Sequence, residues 1–345
     1  MDVRKLHRPG QSGGTSKTSL FKTRGEAVAT TMMSRETQSG TDPSVGGVAA
    51  AGEGSGWNYS EAFCRNAGLI SEAEQERLRS SRVAIPGMGG VGGQHLVTLA
   101  RMGIGKFTIS DPDTFEVANT NRQSGARVDT VGHPKVEVMA EAALRINPEL
   151  DIRVFREPVS GDNVDAFLDG ADILVDGIDL YAVDARRVLF RAAAERGLYA
   201  VTAGPVGFST AWLTFEPAGM SFDRYFDLSD EMDRVQKILA FLLGSSPAAT
   251  QLKYMDIAFM NFRERTAPSV SASCQLASGV AAAEVAKILL GRGGVRCAPW
   301  YQQFDAHEGR FVCRKLHGGN RHPWQRLKRW WLYRQYRLGQ ARWTA

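Results

Sequence analysis

The sequence predicts an α/β fold: a mostly parallel sheet with helices on both faces and an added antiparallel portion near its end. Three observations carry that expectation. Short apolar runs alternate with helix-length segments over residues 82–202, the spacing of parallel strands joined by helical crossovers. The first run breaks at a glycine-rich turn, Gly87-Met88-Gly89-Gly90-Val91-Gly92-Gly93, and resumes as an apolar helix through Leu96, Leu99, Ala100 and Met102. Beyond residue 202 the alternation stops, and strand-like segments at 211–215, 300–304 and 310–313 read as an added strand and a closing hairpin.

Taken in order, residues 1–55 are rich in Gly, Ser, Thr and Ala without hydrophobic periodicity and are expected to be disordered. Their basic, acid-poor character weakly resembles an organelle transit peptide; Met32 or Met33 as the true start is the plainer alternative. A folded domain is expected over 56–316. Residues 59–66 read as helical, and Ser71 caps a second helix with Glu72, Glu74 and Gln75 in its first turn. Strands are expected at 82–86, 106–110, 151–155, 171–175 and 199–202. Helices are expected at 135–146, stopped by Asn147-Pro148, and at 163–168 and 183–196. Residues 220–266 read as irregular and partly helical, a mobile loop. The segment 274–290, packed with Ala and Val and closed by Gly291, reads as a helix.

Composition excludes several classes. No apolar run is long enough to span a bilayer and no signal-peptide core is visible, so a cytoplasmic protein is expected. The four cysteines, Cys64, Cys274, Cys297 and Cys313, form neither a disulfide-dense framework nor a CxxC pair. The six histidines are scattered and suggest no metal site. The net charge of +5 is concentrated beyond Glu308, where ten Arg and Lys residues meet no acid.

The glycine turn and the strands flanking it form the fingerprint of a Rossmann-like βαβ unit. Glycines permit a tight turn and close approach of phosphate to backbone N–H groups, and a helix N-terminus favours the negative charge. Asp111, closing the second strand, is placed to hydrogen-bond a ribose. A nucleotide-binding dehydrogenase would be the default reading of such a unit. Four charged motifs change that reading: Asp111-Pro112-Asp113, Asn119-Thr120-Asn121-Arg122-Gln123, Gly132-His133-Pro134-Lys135 and Asp176-Gly177-Ile178-Asp179 occur in that order within one domain.

In these motifs the chain resembles the ThiF/MoeB/HesA family, the adenylating domain shared with ubiquitin-activating enzymes, over residues 59–304. The Asn119–Gln123 motif with the segments at 135–149 and 160–164 looks most like the branch that dehydrates threonylcarbamoyladenosine in tRNA. The resemblance implies a ThiF-type adenylyltransferase using ATP and Mg²⁺. Gly87, Gly89, Gly90, Gly92, Asp111, Asn119, Asn121, Arg122, Gln123 and Lys135 would bind the nucleotide. Arg122, Lys135 and Asp179 would be catalytic, with Asp179 facing the metal, and Arg65 would be supplied by the other copy in a homodimer. The chemistry agrees. A carboxylate attacking the α-phosphate of ATP is already ionised at neutral pH, so it needs fixed cations, backbone donors and Mg²⁺ rather than a general base.

Asp176 reads instead as a structural cap, and Cys274 as a buried packing residue. No cysteine lies between residues 207 and 265, where thioester-forming relatives keep theirs. That argues for an acyl-adenylate captured by an external or intramolecular nucleophile. The expected substrate is tRNA; the alternative is the C-terminus of a small ubiquitin-like or sulfur-carrier protein, or a peptide. A nicotinamide oxidoreductase and a non-catalytic scaffold are competing readings, and neither requires the ordered charged motifs.

The tail, residues 317–345, interleaves arginines with Trp324, Trp330, Trp331, Tyr333, Tyr336 and Trp343. As a helix it would put Trp324, Leu327, Trp331 and Leu338 near one face. Such a helix could dock on its own or a partner subunit, hold RNA, or lie on an anionic membrane.

Overall fold

A computed structural model describes residues 56–343. The expected disorder of residues 1–55 therefore lies outside the described residues. Eight strands form one mixed sheet in the order β3-β2-β1-β4-β5-β6-β7-β8. They are β1 (Arg82–Pro86), β2 (Lys106–Ser110), β3 (Asp151–Phe155), β4 (Ile173–Asp176), β5 (Tyr199–Val206), β6 (Ser209–Phe215), β7 (Trp300–Asp305) and β8 (Arg310–Lys315). The first five are parallel, with Arg82 opposite Lys106 and Pro86 opposite Ser110 at the centre. β6, β7 and β8 continue the sheet antiparallel, as the sequence predicted.

The helices are α1 (Tyr59–Ala62), α2 (Glu72–Ser80), α3 (Gly92–Arg101), α4 (Lys135–Leu144), α5 (Val164–Leu168), α6 (Val183–Glu195), α7 (Phe222–Phe226), α8 (Arg234–Ser245), α9 (Ser271–Leu289) and α10 (Pro323–Trp343). Strand alternation divides the apolar residues between two cores. In β1, Val83 and Ile85 pack with residues of α3, α4 and α9, while Ala84 points the other way, into the core formed with α5, α6, α7 and α8. Both faces are thus covered, which is why the central strands read as continuous apolar runs. At α2, the Ser71 hydroxyl accepts from the Glu74 N–H while the Glu74 carboxylate accepts from the Ser71 N–H, a complete capping box.

Residues 220–266, expected to be irregular and partly helical, hold the two helices α7 and α8 and are not one mobile loop. Phe222, Tyr225 and Phe226 repeat at helical spacing and are buried in the second core with Ile238 and Phe241. Only short 3₁₀ turns, Thr250–Lys253 and Ile257–Phe259, interrupt the chain between α8 and α9. The tail forms the helix expected of it and docks on its own subunit. The docked face, however, is made by polar anchors. The Gln325 amide donates to the Leu243 carbonyl, Arg329 pairs with Asp227 at 2.7 Å, and the Tyr333 hydroxyl donates to Asp233 at 2.6 Å. The apolar stripe of Trp324, Leu327, Trp331 and Leu338 faces outward.

Candidate functional site

The parallel sheet reverses its direction of winding between β1 and β4. Connections from those two strands leave in opposite directions, so a crevice opens beyond their C-terminal ends, where ligands of open α/β sheets bind. The glycine turn comes directly after β1, and the Asp176-Gly177-Ile178-Asp179 segment directly after β4.

Three glycines make this crevice possible by backbone contact alone. Gly87 has φ +87°, and a Cβ there would lie 2.3 Å from the Gly177 carbonyl oxygen. A Cβ on Gly92 would lie 1.8 Å from the Gly87 oxygen, and one on Gly177 would lie 2.7 Å from both that oxygen and the Gly92 Cα. Gly87 and Gly92, expected among the nucleotide-binding residues, therefore serve the chain's own close packing. The Gly87 N–H is moreover committed to the Ser110 carbonyl at 2.6 Å.

Gly89 and Gly90 differ. Their N–H groups and that of Val91 carry no protein partner among the described residues. They precede α3, whose N-terminus has no side-chain cap. Consecutive free N–H groups at a helix N-terminus form an anion-binding concavity. Gly90 faces Arg122 and Cys274; a Cβ there would come within 3.5 Å of the Arg122 Cγ and 3.1 Å of the Cys274 sulfur. Gly89 faces the Gln123 amide at 3.9 Å. The buried Gln123 Oε1 has no hydrogen-bond partner.

Asp111 is buried and fixes the turn: its carboxylate accepts the Met88 N–H at 2.6 Å and the Asp113 N–H at 2.9 Å. Burial raises its pKa, and the two N–H donors and the charge of Lys135 oppose that rise. The loop from β2 to α4 is closed at its base by the Thr114–Pro134 bridge. Closure sets Lys135, in the first turn of α4, 3.1 Å from the Asp113 carboxylate. Lys135 is buried whereas Asp113 is two-thirds exposed, so an anion arriving in the crevice can replace this partner.

Asn119 ends a 3₁₀ turn, and its Oδ1 accepts the Glu116 N–H at 3.0 Å. Asn121 donates to the Ser269 carbonyl at 2.9 Å, tying this loop to the chain entering α9. Arg122 donates one Nη to the Ala118 carbonyl and to Asn121 Oδ1, both at 3.0 Å, which orients the guanidinium.

On the β4 side the two aspartates differ in burial. Asp176 is buried and structural, accepting from Arg186 Nε at 2.8 Å, the Thr202 hydroxyl at 2.7 Å and the Ile178 N–H at 3.0 Å. Arg186 also donates to the Ile178 and Asp179 carbonyls, so one buried ion pair pins the segment by its backbone. Asp179 is exposed, its carboxylate touching only the Tyr181 N–H at 3.4 Å among the described residues. A single carboxylate with room for phosphate oxygens and water suits Mg²⁺, which binds through one or two carboxylates and substrate phosphates. Among the described residues no cluster of three metal-ligating side chains occurs.

Arg65 is not brought to this crevice. It lies in the 3₁₀ turn Cys64–Asn66, where Asn66 donates to the Met102 carbonyl and Tyr59 to that of Gly103. Those contacts hold it at the C-terminal end of α3, whose ten residues separate it from the glycine turn by about 15 Å. Arg65 is exposed and has no partner among the described residues of its own chain. Cys274 is 1% exposed, and burial pushes its thiol pKa up, consistent with packing rather than reactivity.

Gly177 lies within the Asp176–Asp179 motif and adds a packing role to it; Arg186 and Ser269 carry no local signal, since they act only through contacts made between elements. A pocket of about 470 Å³ also adjoins Ser269, lined by Phe208, Tyr254, Met255, Phe259 and Val270.

The ThiF family model matches residues 63–325. The chain belongs to the ThiF family. It is 34% identical over 154 residues to the tRNA threonylcarbamoyladenosine dehydratase of Haemophilus influenzae, covering 44% of this chain and 58% of that protein. It is 36% identical over 109 residues to the molybdopterin-synthase adenylyltransferase of Salmonella typhimurium, covering 32% and 44%. The chain thus spans about half the length of the curated relatives it matches. The crystal structure of Escherichia coli MccB with ATP shares the fold at a TM-score of 0.52 and 19% identity, over 71% of this chain and 66% of that one.

Proposed function

We propose that this chain adenylates a carboxylate with ATP, and that the carboxylate is the threonyl group of threonylcarbamoyladenosine in tRNA. The observation that carries the chemistry is the run of free N–H groups at Gly89 and Gly90 facing Arg122, with Lys135 opening α4 and exposed Asp179 on the segment after β4. In this reading a carboxylate oxygen attacks the α-phosphorus, the bond to the bridging oxygen breaks, and pyrophosphate leaves. The N–H groups of residues 89–91, Arg122 and Lys135 neutralise the phosphates. Asn119 and Asn121 add polar contacts, Gln123 supports the loop, and Asp111 holds the ribose. Asp179 would hold Mg²⁺, whose chemistry there would be to neutralise charge on the leaving pyrophosphate. The acyl-adenylate then loses AMP to a nucleophile within the same nucleoside, so the net change is loss of one water from the nucleoside.

The apolar pocket beside Ser269 supports entry of the acyl group from that side. Arg65, exposed and remote from its own crevice, would reach the crevice of a second copy, which makes the working enzyme a homodimer. The cytoplasm, where tRNA and ATP are available, is the proposed compartment. The dehydratase relatives favour tRNA. The adenylyltransferase relative keeps a sulfur-carrier or ubiquitin-like C-terminus as the second reading.

The test is mass spectrometry of nucleosides after incubating threonylcarbamoyladenosine-containing tRNA with the protein, ATP and Mg²⁺. Loss of one water is expected. Arg122→Ala should slow it about 100- to 1,000-fold, the cost of removing one charge-stabilising donor. ATP–pyrophosphate exchange elicited by a carrier-protein C-terminus, with the tRNA unchanged, would transfer the assignment to the second reading.

A further inference from the structure

Helix α10 extends beyond the family match, which ends at residue 325. Its inward face is satisfied: Gln325, Arg329 and Tyr333 hydrogen-bond to the body, and the Tyr336 ring packs edge-on against Phe262 at 5.2 Å. At 100° per residue these four lie on one side of the helix, and Leu327, Trp331 and Leu338 lie opposite, with Trp324 beside them. The outward residues are half exposed or more: Trp324 68%, Leu327 50%, Trp331 52% and Leu338 51%. Trp330, at 56%, sits at the edge of this stripe with the Arg334 guanidinium 5.6 Å from its ring centroid. Exposed cations flank the stripe, Arg326 and Arg337 on one side and Lys328 on the other. The helix contains no acid.

We propose that the outward face of α10 lies on an anionic lipid bilayer, its leucines and tryptophans at the acyl boundary and its cations among the headgroups. Charge decides against a second copy of the helix as the occupant, because two acid-free cationic faces repel. Shape decides against a nucleic acid: phosphates would engage the flanking cations, but the outermost leucines, Leu327 and Leu338, would gain nothing from them. An apolar stripe outermost, flanked by Arg and Lys and bearing tryptophans, is the arrangement of a helix lying in a membrane interface. The helix rests on the surface and does not cross, since no described helix is long and apolar enough to span a membrane. This inference is independent of the substrate proposed above.

The test is co-sedimentation of the full chain with vesicles of phosphatidylcholine alone and of phosphatidylcholine mixed with phosphatidylglycerol. Binding is expected to the mixed vesicles only, weakening with salt. Leu327→Ser and Trp331→Ser should each lower the partition coefficient about tenfold. Lys328→Gln should lower it about fivefold. All three positions are exposed, so unchanged thermal melting serves as the folding control. Three results would overturn the proposal. They are absence of binding to mixed vesicles at low salt, serine variants that bind as well as the parent, and α10-dependent binding of tRNA without any binding of vesicles.

Discussion

In the parallel half of the sheet, between β1 and β4, backbone packs on backbone; in the antiparallel half, between β6 and β7, buried side chains pack polar atom on polar atom. At the first place Gly87, Gly92 and Gly177 meet with no side chain between them. At the second, fully buried Asp305 accepts from the Thr250 hydroxyl at 2.6 Å, from Tyr254 at 3.2 Å and from the N–H groups of His307 and Glu308. Gln303 beside it donates to Thr250 and Gln251 and accepts from Ser246. The contrast arises from what each end must hold. A crevice whose backbone segments pack directly on one another must keep its wall thin, and only glycine does that. A closed region can fill with side chains where most buried polar atoms find partners, although among the described residues Trp212 Nε1 and Thr214 Oγ1 of β6 do not.

The largest effect expected from breaking this contrast is at Gly92. Its Cβ would overlap a backbone oxygen that no rotamer change can move, so Gly92→Ala should cost more than about 4 kcal/mol and prevent native folding. Gly89→Ala, which would meet only the Gln123 amide at 3.9 Å, should melt near the parent temperature. Equal melting of the two variants would refute the backbone-contact account.

Next in size is the acid sensitivity of His95. It lies on α3, almost fully buried, and neither ring nitrogen has a partner among the described residues. Burial lowers its pKa from 6.5 to about 4, against the pull of Asp176. Between those values the unfolded chain binds a proton that the native chain does not. Stability should therefore fall on acidification across that window, by on the order of 3 kcal/mol from this group. His95→Leu should flatten that part of the stability curve in denaturant titrations from neutral to acid pH.

On the antiparallel side, Asp305→Asn replaces one acceptor with a donor facing other donors. A loss of about 2 kcal/mol is expected in urea unfolding, with the proposed activity retained. The smallest effect has the opposite sign. Gly279 lies within α9, where an added Cβ would meet nothing within 4 Å. Gly279→Ala should therefore stabilise by about 0.5–1 kcal/mol, because it gains helix propensity without a clash.

Local chemistry made much of this legible. Strands 82–86 and 106–110 are legible as short apolar runs because they are buried on both faces, and the edge strand 151–155 alternates exposed Asp151 and Arg153 with half-buried Ile152 and Val154. The Ser71 cap, the glycine turn and the hairpin of β7 and β8 likewise depend on residues close in sequence. The site motifs could be read because each is a contiguous stretch placed after a strand end. The order of residues 220–245 was harder to read: Phe222, Tyr225 and Phe226 find their core only when β6 and α6 are already in place.

By itself, then, the sequence determined the elements, the glycine turn and the set of charged motifs, since each rests on contacts within a few residues. Tertiary structure alone decided that β1 and β4 part to open the crevice and that Gly177 closes on Gly87. It decided that Arg186 holds Asp179 by its backbone, and that α10 turns its anchors inward and its tryptophans outward. Gly177 and Gly87 lie 90 residues apart and Gln325 lies 82 from Leu243, while the nearer Arg186 contact forms only once α6 folds back on the end of β4; no local pattern specifies a partner whose position depends on the rest of the sheet.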